Sequence, residues 1–166
     1  MKHVSAKVQS TTIGWREWLA LPDLGIATIK AKIDTGARSS AIHAFQIETF
    51  RRNGRHRVRF RMHPIQRDTH QTVMAEAEIL DERQIRNSGG HAELRIVIST
   101  LAELPGHQWP IELTLTNRDV MGFRMLLGRA AIRDRFLVDP GRSYLLSHPP
   151  AHLIETNLPE MDEEED

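Results

Sequence analysis

The chain predicts an all-β domain, closed or partly closed into a barrel, with one short helix. Short segments in which apolar and polar residues alternate recur along its length. Turn signals built from Gly, Pro, Asn and Asp separate them at intervals of about ten residues. No self-similarity appears at the periods of about 20–50 residues that mark solenoids. These three features together point to a closed or partly closed β-barrel.

The elements follow in order. Thr12 to Leu24, with Trp15, Trp18, Leu19 and Leu21 before Pro22-Asp23, reads as a strand entering a turn. Ile26 to Ile33 alternates, with Ile29, Ala31 and Ile33 on one face and Thr28, Lys30 and Lys32 on the other. The polar turn Asp34-Thr35-Gly36 follows. Ser39 to Phe50 continues as strand with a bend near His43-Ala44. Asn53-Gly54 is a hairpin signal, since both residues tolerate positive φ. The return strand Arg57 to Met62 sets Val58, Phe60 and Met62 against Arg57, Arg59 and Arg61. Thr72 to Leu80 is a strand, Asp81 to Arg86 a short helical turn, and Leu94 to Ser99 the strand that completes a second hairpin. Its polar tip is Asn87-Ser88-Gly89-Gly90. Gln108 to Asn117 alternates through Ile111, Leu113 and Leu115 after a Pro105-Gly106 turn. Leu126-Leu127-Gly128 precedes a short helix over Ala130 to Arg135, and Phe136–Asp139 and Ser143–Leu146 close the domain as strands.

With 166 residues, 40% hydrophobic and 27% charged, one globular domain is expected. Residues 1–11 read as a flexible N-terminus, 12–147 as the domain and 148–166 as an acidic, disordered tail. Cysteine is absent, which removes disulfides, thiol nucleophiles and thiolate metal sites. No apolar run has membrane-spanning length and no apolar signal core opens the chain, so a cytoplasmic protein without a membrane partner is expected. Formal net charge is zero, yet Glu160 to Asp166 holds six acids, which leaves 22 basic and 16 acidic residues elsewhere. A basic body favours anionic partners, and the acidic tail could compete for the same surface. Arg51, Arg52, Arg55 and Arg67 extend the arginine-rich hairpin, which is open to three readings: a solvated sheet face, an anion-facing wall, or a nucleic-acid surface. Aromatic content of 5% supports base stacking poorly, so nucleic acid is not the expected partner.

The residues narrow the chemistry. No phosphate-binding glycine loop is present. The nine histidines include no H-E-x-x-H pair, and His63, His70 and His91 are scattered, so neither a metal nor any other cofactor is expected. Ser39 and Ser40 lack a G-x-S-x-G elbow. Aspartic catalysis fits better. Hydrolysis without metal or covalent intermediate needs a water between two carboxyls that share one proton, one acting as base and the other as acid. One chain supplies one D-T-G, so the second carboxyl must come from a second copy across a two-fold axis. D-T-G alone is weak, since a turn or cap is the commoner role of such an Asp. The signal sharpens when D-T-G-A is joined by Leu126-Leu127-Gly128 and a helix in an all-β chain.

At this point the chain resembles the retropepsin-like aspartic peptidases, in which such an apolar-apolar-Gly segment supports the D-T-G-A turn. G-W-R-E-W at Gly14–Trp18, K-I-D-T-G-A at Lys32–Ala37, S-A-I-H-A at Ser40–Ala44, R-x-x-R-N-S-G-G at Arg83–Gly90, and E-L-T-L-T-N-R…M-G-F-R-M-L-L-G-R at Glu112–Arg129 are similar to a narrower bacterial family. It is often labelled "ATP-dependent zinc protease", includes RimB-type proteins and is associated with ATP-grasp glutamate ligases. The resemblance spans about Gly14 to Ser147. The sequence holds neither an ATP loop nor a zinc motif, so the label carries no weight on mechanism. The resemblance implies a retropepsin-like barrel, a homodimer, and Asp34 as catalytic acid with Thr35 and Gly36. It also implies structural support from Leu126, Leu127 and Gly128, and cleavage of glutamate-rich tails added to a ribosomal protein.

One departure stands out. Retroviral members carry an acid just after D-T-G-A that pairs with the arginine after the apolar-apolar-Gly segment. Here that position is Arg38, so Arg129 needs another partner. Arg38 and Lys32 add positive charge beside the turn and favour acidic substrates. Candidate substrate contacts are Ala37, Arg38 and Lys32 around the turn, Arg83, Arg86, Ser88 and Gly89 in the loop, and Arg129. The loop Arg83–Glu93 is the candidate flap, and His43 reads as a packed residue rather than a base. The alternative is a catalytically silent barrel that binds an acidic protein segment or RNA.

Overall fold

The computed structural model describes residues 10–65, 71–86, 89–117 and 122–151. β1 (Thr11–Gly14) and β2 (Arg16–Leu21) precede a 3-10 turn at Pro22–Leu24, and β3 (Ile26–Asp34) follows. Next come β4 (Ser40–His43), β5 (Phe45–Arg52) and β6 (Arg55–Met62). β7 (Val73–Arg86), β8 (Ala92–Leu104) and β9 (His107–Thr116) are the long strands. β10 (Met125–Gly128), α1 (Arg129–Ile132) and β11 (Phe136–Asp139) complete the order.

Six strands close the barrel in the order β2-β3-β10-β4-β9-β8, and the Ala20↔Glu103 bridge between β2 and β8 shuts it. β7, β6 and β5 extend the sheet beyond β8. β7 serves both parts: Val73–Glu78 pairs with β6, and Ile79–Arg86 pairs with β8, with a bulge between Ile79 and Asp81. β1 and β11 form a separate parallel pair. The alternation read in the sequence holds. Ile29, Ala31 and Ile33 of β3 are buried, as are Val58, Phe60 and Met62 of β6, and Trp109, Ile111, Leu113 and Leu115 of β9. The chain bends at Ala44, and Asn53 and Gly54 (φ 53° and 77°) make the expected tight hairpin.

Several expectations are corrected. Asp81–Arg86 is strand, not a helical turn: its residues pair with Ala92–Val97, and that ladder overrides local helical preference. Thr12–Leu24 is not one strand but β1, a break at Trp15, β2 and the 3-10 turn. The helix begins at Arg129 and ends at Ile132, earlier than Arg135, because Arg133 leaves the helical region (ψ 137°) before Asp134 takes a positive φ of 65°. Ser143–Leu146 is not a strand. Its amides have a different acceptor, the fully buried carboxylate of Glu17.

Glu17 Oε2 accepts from the Gly14 and Leu145 amides (2.9 Å each). Oε1 accepts from the Leu146 and Ser147 amides (3.0 and 2.9 Å) and the Ser147 hydroxyl (2.7 Å). Tyr144, at φ 56°, turns the chain toward this carboxylate. A buried carboxylate is tolerated when its lone pairs are filled this way. The C-terminal segment is thus strapped to β2 by the Glu17 side chain together with two backbone bonds, from the Tyr144 amide to the Arg16 carbonyl (3.0 Å) and from the Trp15 amide to the Arg142 carbonyl (2.8 Å). The acidic tail expected beyond it lies outside the described residues, except for its first few positions.

The arginine hairpin finds its acids on β7. Arg52 and Arg59 pair with Glu76 (3.0 and 2.9 Å), Arg55 with Glu78 (3.1 Å), and His56 lies 3.4 Å from Glu82. For Arg52, Arg55 and Arg59 the solvated, charge-compensated face is the reading that applies; Arg67 lies outside the described residues. Such exposed pairs contribute little stability each.

Two outcomes follow from these contacts. Glu17→Ala removes the acceptor for several buried amides, and urea denaturation should show a loss of about 3 kcal/mol or more. Hydrogen bonds from Arg59, then Arg52, hold the Glu76 carboxyl below its ordinary value. Stabilisation from this pairing is therefore complete at neutral pH and disappears as pH falls through the lowered value. An NMR titration should place Glu76 below an exposed glutamate, and Arg59→Gln should move it back up.

Candidate active site

β10 decides where Asp34 sits. It lies between β3 and β4, parallel to β3 with Gly128 opposite Asp34, and antiparallel to β4 with Leu126 opposite Ala41. The chain leaves β3 at Asp34, turns through Thr35–Ser39, and re-enters as β4 one strand further on. All four residues of β10 are buried, as expected of a strand flanked on both edges and covered on both faces.

The approach is close. A Cβ on Gly128 would stand 2.4 Å from the Ser39 carbonyl oxygen and 2.9 Å from that of Arg38, so only glycine fits. The Gly128 amide donates to the hydroxyl of Ser40 (3.0 Å), a residue only 3% exposed. The Arg129 and Ala130 amides donate to the Ala37 and Arg38 carbonyls (2.7 and 3.0 Å), so the first amides of α1 are satisfied by the Asp34 turn. The Arg129 guanidinium donates to the Thr35 carbonyl (2.9 Å). That carbonyl is the partner Arg129 takes in place of an acid.

Asp34 is held by its own turn. Its Oδ1 accepts from the Gly36 and Ala37 amides (2.9 and 3.1 Å). Among the described residues no donor meets Oδ2. One carboxylate oxygen is therefore held by the turn, and the other has no donor among the described residues. Thr35, Gly36, Arg38 and Ser39 are exposed. Lys32, two residues before Asp34 on β3, shares its face by strand alternation.

Beside the turn lies a cavity of about 450 Å³. Arg38 and Ser39 line it from the turn, Ala130 from α1, Glu112 from β9, and Arg83 and Val97 from the β7–β8 hairpin. Asp34 is adjacent in sequence to this wall but is not among the lining residues. Arg83 donates to Asp81 (2.7 Å) and so reaches the cavity partly compensated. A volume in this range suits a side chain or a small ligand.

The structure thus brings together Asp34, Thr35, Gly36, Ala37, Leu126, Leu127, Gly128 and Arg129, and sets Arg38 and Arg83 in one cavity. The arms of the expected flap are the outer ends of β7 and β8. Asn87 and Ser88 lie outside the described residues, as does the Arg86 side chain, and Gly89 is exposed. His43 is half-buried on β4, its amide bonded to the Arg124 carbonyl. Among the described residues no three His, Asp or Glu side chains converge at metal-binding distance. No helix of the described residues is long and apolar enough to cross a membrane. Glu112 and the Ser40–Gly128 bond were missed by sequence reading. Glu112 opens the E-L-T-L-T-N-R stretch, and its alternation with Ile111 and Leu113 puts it on the outer face, but neither signal places it at a cavity.

The model of the RimB-like family, described as retropepsin-like aspartic endopeptidase RimB, matches residues 12–149. The chain belongs to this family. Among curated proteins, the RimB-like chain is 49% identical over 134 residues to a probable alpha-L-glutamate ligase of Shewanella halifaxensis. It is 47% identical over 137 residues to one of Desulfotalea psychrophila. These matches cover 81% and 82% of the chain but only 29% and 30% of the relatives, so it spans about three tenths of their length. A crystal structure of a Legionella pneumophila protein of unknown function matches with a TM-score of 0.69 and 29% identity, covering 81% of this chain and 97% of that one.

Gly128→Ala should cost about 2 kcal/mol or more in chemical denaturation, because the clash is with backbone that has no rotamer to yield.

Proposed function

We propose that two copies of this RimB-like chain assemble one aspartic peptidase site, and that its substrates are acidic, glutamate-rich protein segments. The observation that carries the reading is the presentation of Asp34. Its Oδ1 is anchored by two amides, and an exposed Thr35-Gly36 turn surrounds it, backed by Gly128 and Arg129. In the assembled site one Asp34 is ionised and its partner protonated, because adjacent carboxylates cannot both ionise. The ionised carboxylate takes a proton from water as the hydroxide attacks the peptide carbonyl carbon. The protonated carboxyl donates to the carbonyl oxygen. Collapse of the tetrahedral intermediate then breaks the C–N bond, with a proton passed to the amine.

The charge of Arg38 and Lys32 favours acidic over neutral chains, and the relatives' name, glutamate ligase, suggests glutamyl chemistry. That same name supports a second reading, a domain that holds a glutamyl chain without cutting it.

A cleavage assay with peptides ending in several glutamates, against glutamine controls, separates the two. Turnover lost in Asp34→Asn by a factor of about 10³ or more, with unchanged circular dichroism, supports the peptidase. Affinity without turnover, insensitive to Asp34→Asn, supports the holding domain. Sedimentation equilibrium should find a dimer under assay conditions; an active monomer would overturn the shared site.

A further inference from the structure

The β7–β8 hairpin carries an arrangement that the fold itself does not need. Arg83 of β7 stands directly opposite Arg95 of β8, and Asp81 stands opposite Val97. Strand alternation puts all four on one face. That face turns toward the cavity, since Arg83 and Val97 both line it, and Val97 is only 5% exposed although it lies away from the barrel interior. Like charges directly opposite each other weaken a ladder. Arg83 is compensated by Asp81 (2.7 Å). Arg95 is not: its Nε is buried and meets no acceptor among the described residues. Glu93, two residues further out on the same face, likewise has a buried Oε2 without a donor, and no ion pair joins it to Arg95 among the described residues. Buried polar atoms are usually matched, and one that is not calls for a water, an ion or a ligand to complete it.

We infer that Arg95 is a specificity-determining residue, a second anionic subsite beyond the cavity that Arg38 and Arg83 share. It would read an acidic side chain two residues along from the one in the cavity. The spacing supports this. Arg83 stands opposite Arg95 in the ladder but turns its guanidinium back to Asp81, level with Val97, and Arg95 lies one strand repeat from that level, about 6.8 Å, the distance between side chains i and i+2 of an extended peptide. A substrate lying along the hairpin would thus present alternate acids to the two subsites, with its intervening side chains turned away. Glu93 is positioned to receive amide donors of that chain. This assignment rests on the reading of the site as one for acidic chains, but not on hydrolysis.

Binding to the full chain carrying Asp34→Asn keeps recognition apart from turnover. Calorimetry with a hexaglutamate peptide, and with peptides in which one glutamate at a time is glutamine, reads each subsite. Two positions spaced i and i+2 should each lose about fivefold or more in affinity, as expected for one charge-assisted contact. Arg95→Gln should abolish the loss at one of them and leave the other intact, a double-mutant cycle that global damage cannot imitate. Arg95→Lys should restore part of it. Equal losses at every position, or an Arg95→Gln effect shared by all peptides, would overturn the assignment. So would an absence of binding to hexaglutamate, and cleavage of neutral peptides by the unmodified chain would then show that the peptidase reading stands without it. Specific binding with no cleavage by the unmodified chain would sink the peptidase reading and keep the subsite.

Discussion

The insertion of β10 between β3 and β4 is the constraint on which the rest of the molecule depends. It supplies the barrel wall on both sides of the Asp34 turn, and it does so only because Gly128 lacks a side chain where the Ser39 carbonyl approaches. The same contact aligns the backbone that follows. The Arg129 and Ala130 amides meet the turn's carbonyls, and the Arg129 guanidinium reaches Thr35. The turn is thereby gripped from behind, while Asp34 Oδ1 is held from within by the Gly36 and Ala37 amides. A functional group held by main-chain contacts to buried strands is more rigidly placed than one on a free loop.

Charge is distributed in two ways. On the β5–β6 hairpin Arg52, Arg55 and Arg59 meet Glu76 and Glu78 and are compensated in place, whereas Arg57 has a buried nitrogen without an acceptor among the described residues. Around the cavity compensation is incomplete. Arg38 is exposed, Arg83 has Asp81, Arg95 has a buried nitrogen without an acceptor, and Glu112 is the acid that shares the cavity wall. A concave, partly buried site is where such charge is least screened and most selective.

Beside β3, where Glu17 stands opposite Ala31, one side chain gathers the amides of an irregular segment. Glu17 accepts from amides on both sides of the chain, from Gly14 and from Leu145 through Ser147. The C-terminal segment needs no ladder because its donors already have an acceptor. This strap, and Arg16 bonded to Ser143 (3.0 Å), tie the start of the barrel to its close.

Much of the fold was legible in the sequence because its causes are local. Apolar residues at every second position marked β3, β6 and β9, and Asn53-Gly54 marked a hairpin. An acid in D-T-G with a distant Leu-Leu-Gly marked the turn and its support. Errors fell where a partner far along the chain decides. Asp81–Arg86 is strand because β8 offers a ladder, and Ser143–Leu146 is not strand because Glu17 takes its amides. The partner of Arg129 is a carbonyl, which no pattern of side chains announces. Arg95 carries no motif and Glu112 only opens one, and their setting comes from the cross-strand register and the cavity. The sequence by itself determined the alternation, the turns and the presence of one acid suited to pairing, since each depends on residues close in the chain. Tertiary structure alone decided what faces that acid and which charges stay uncompensated, because hydrogen bonds and ion pairs depend on distance in space, not on distance along the chain.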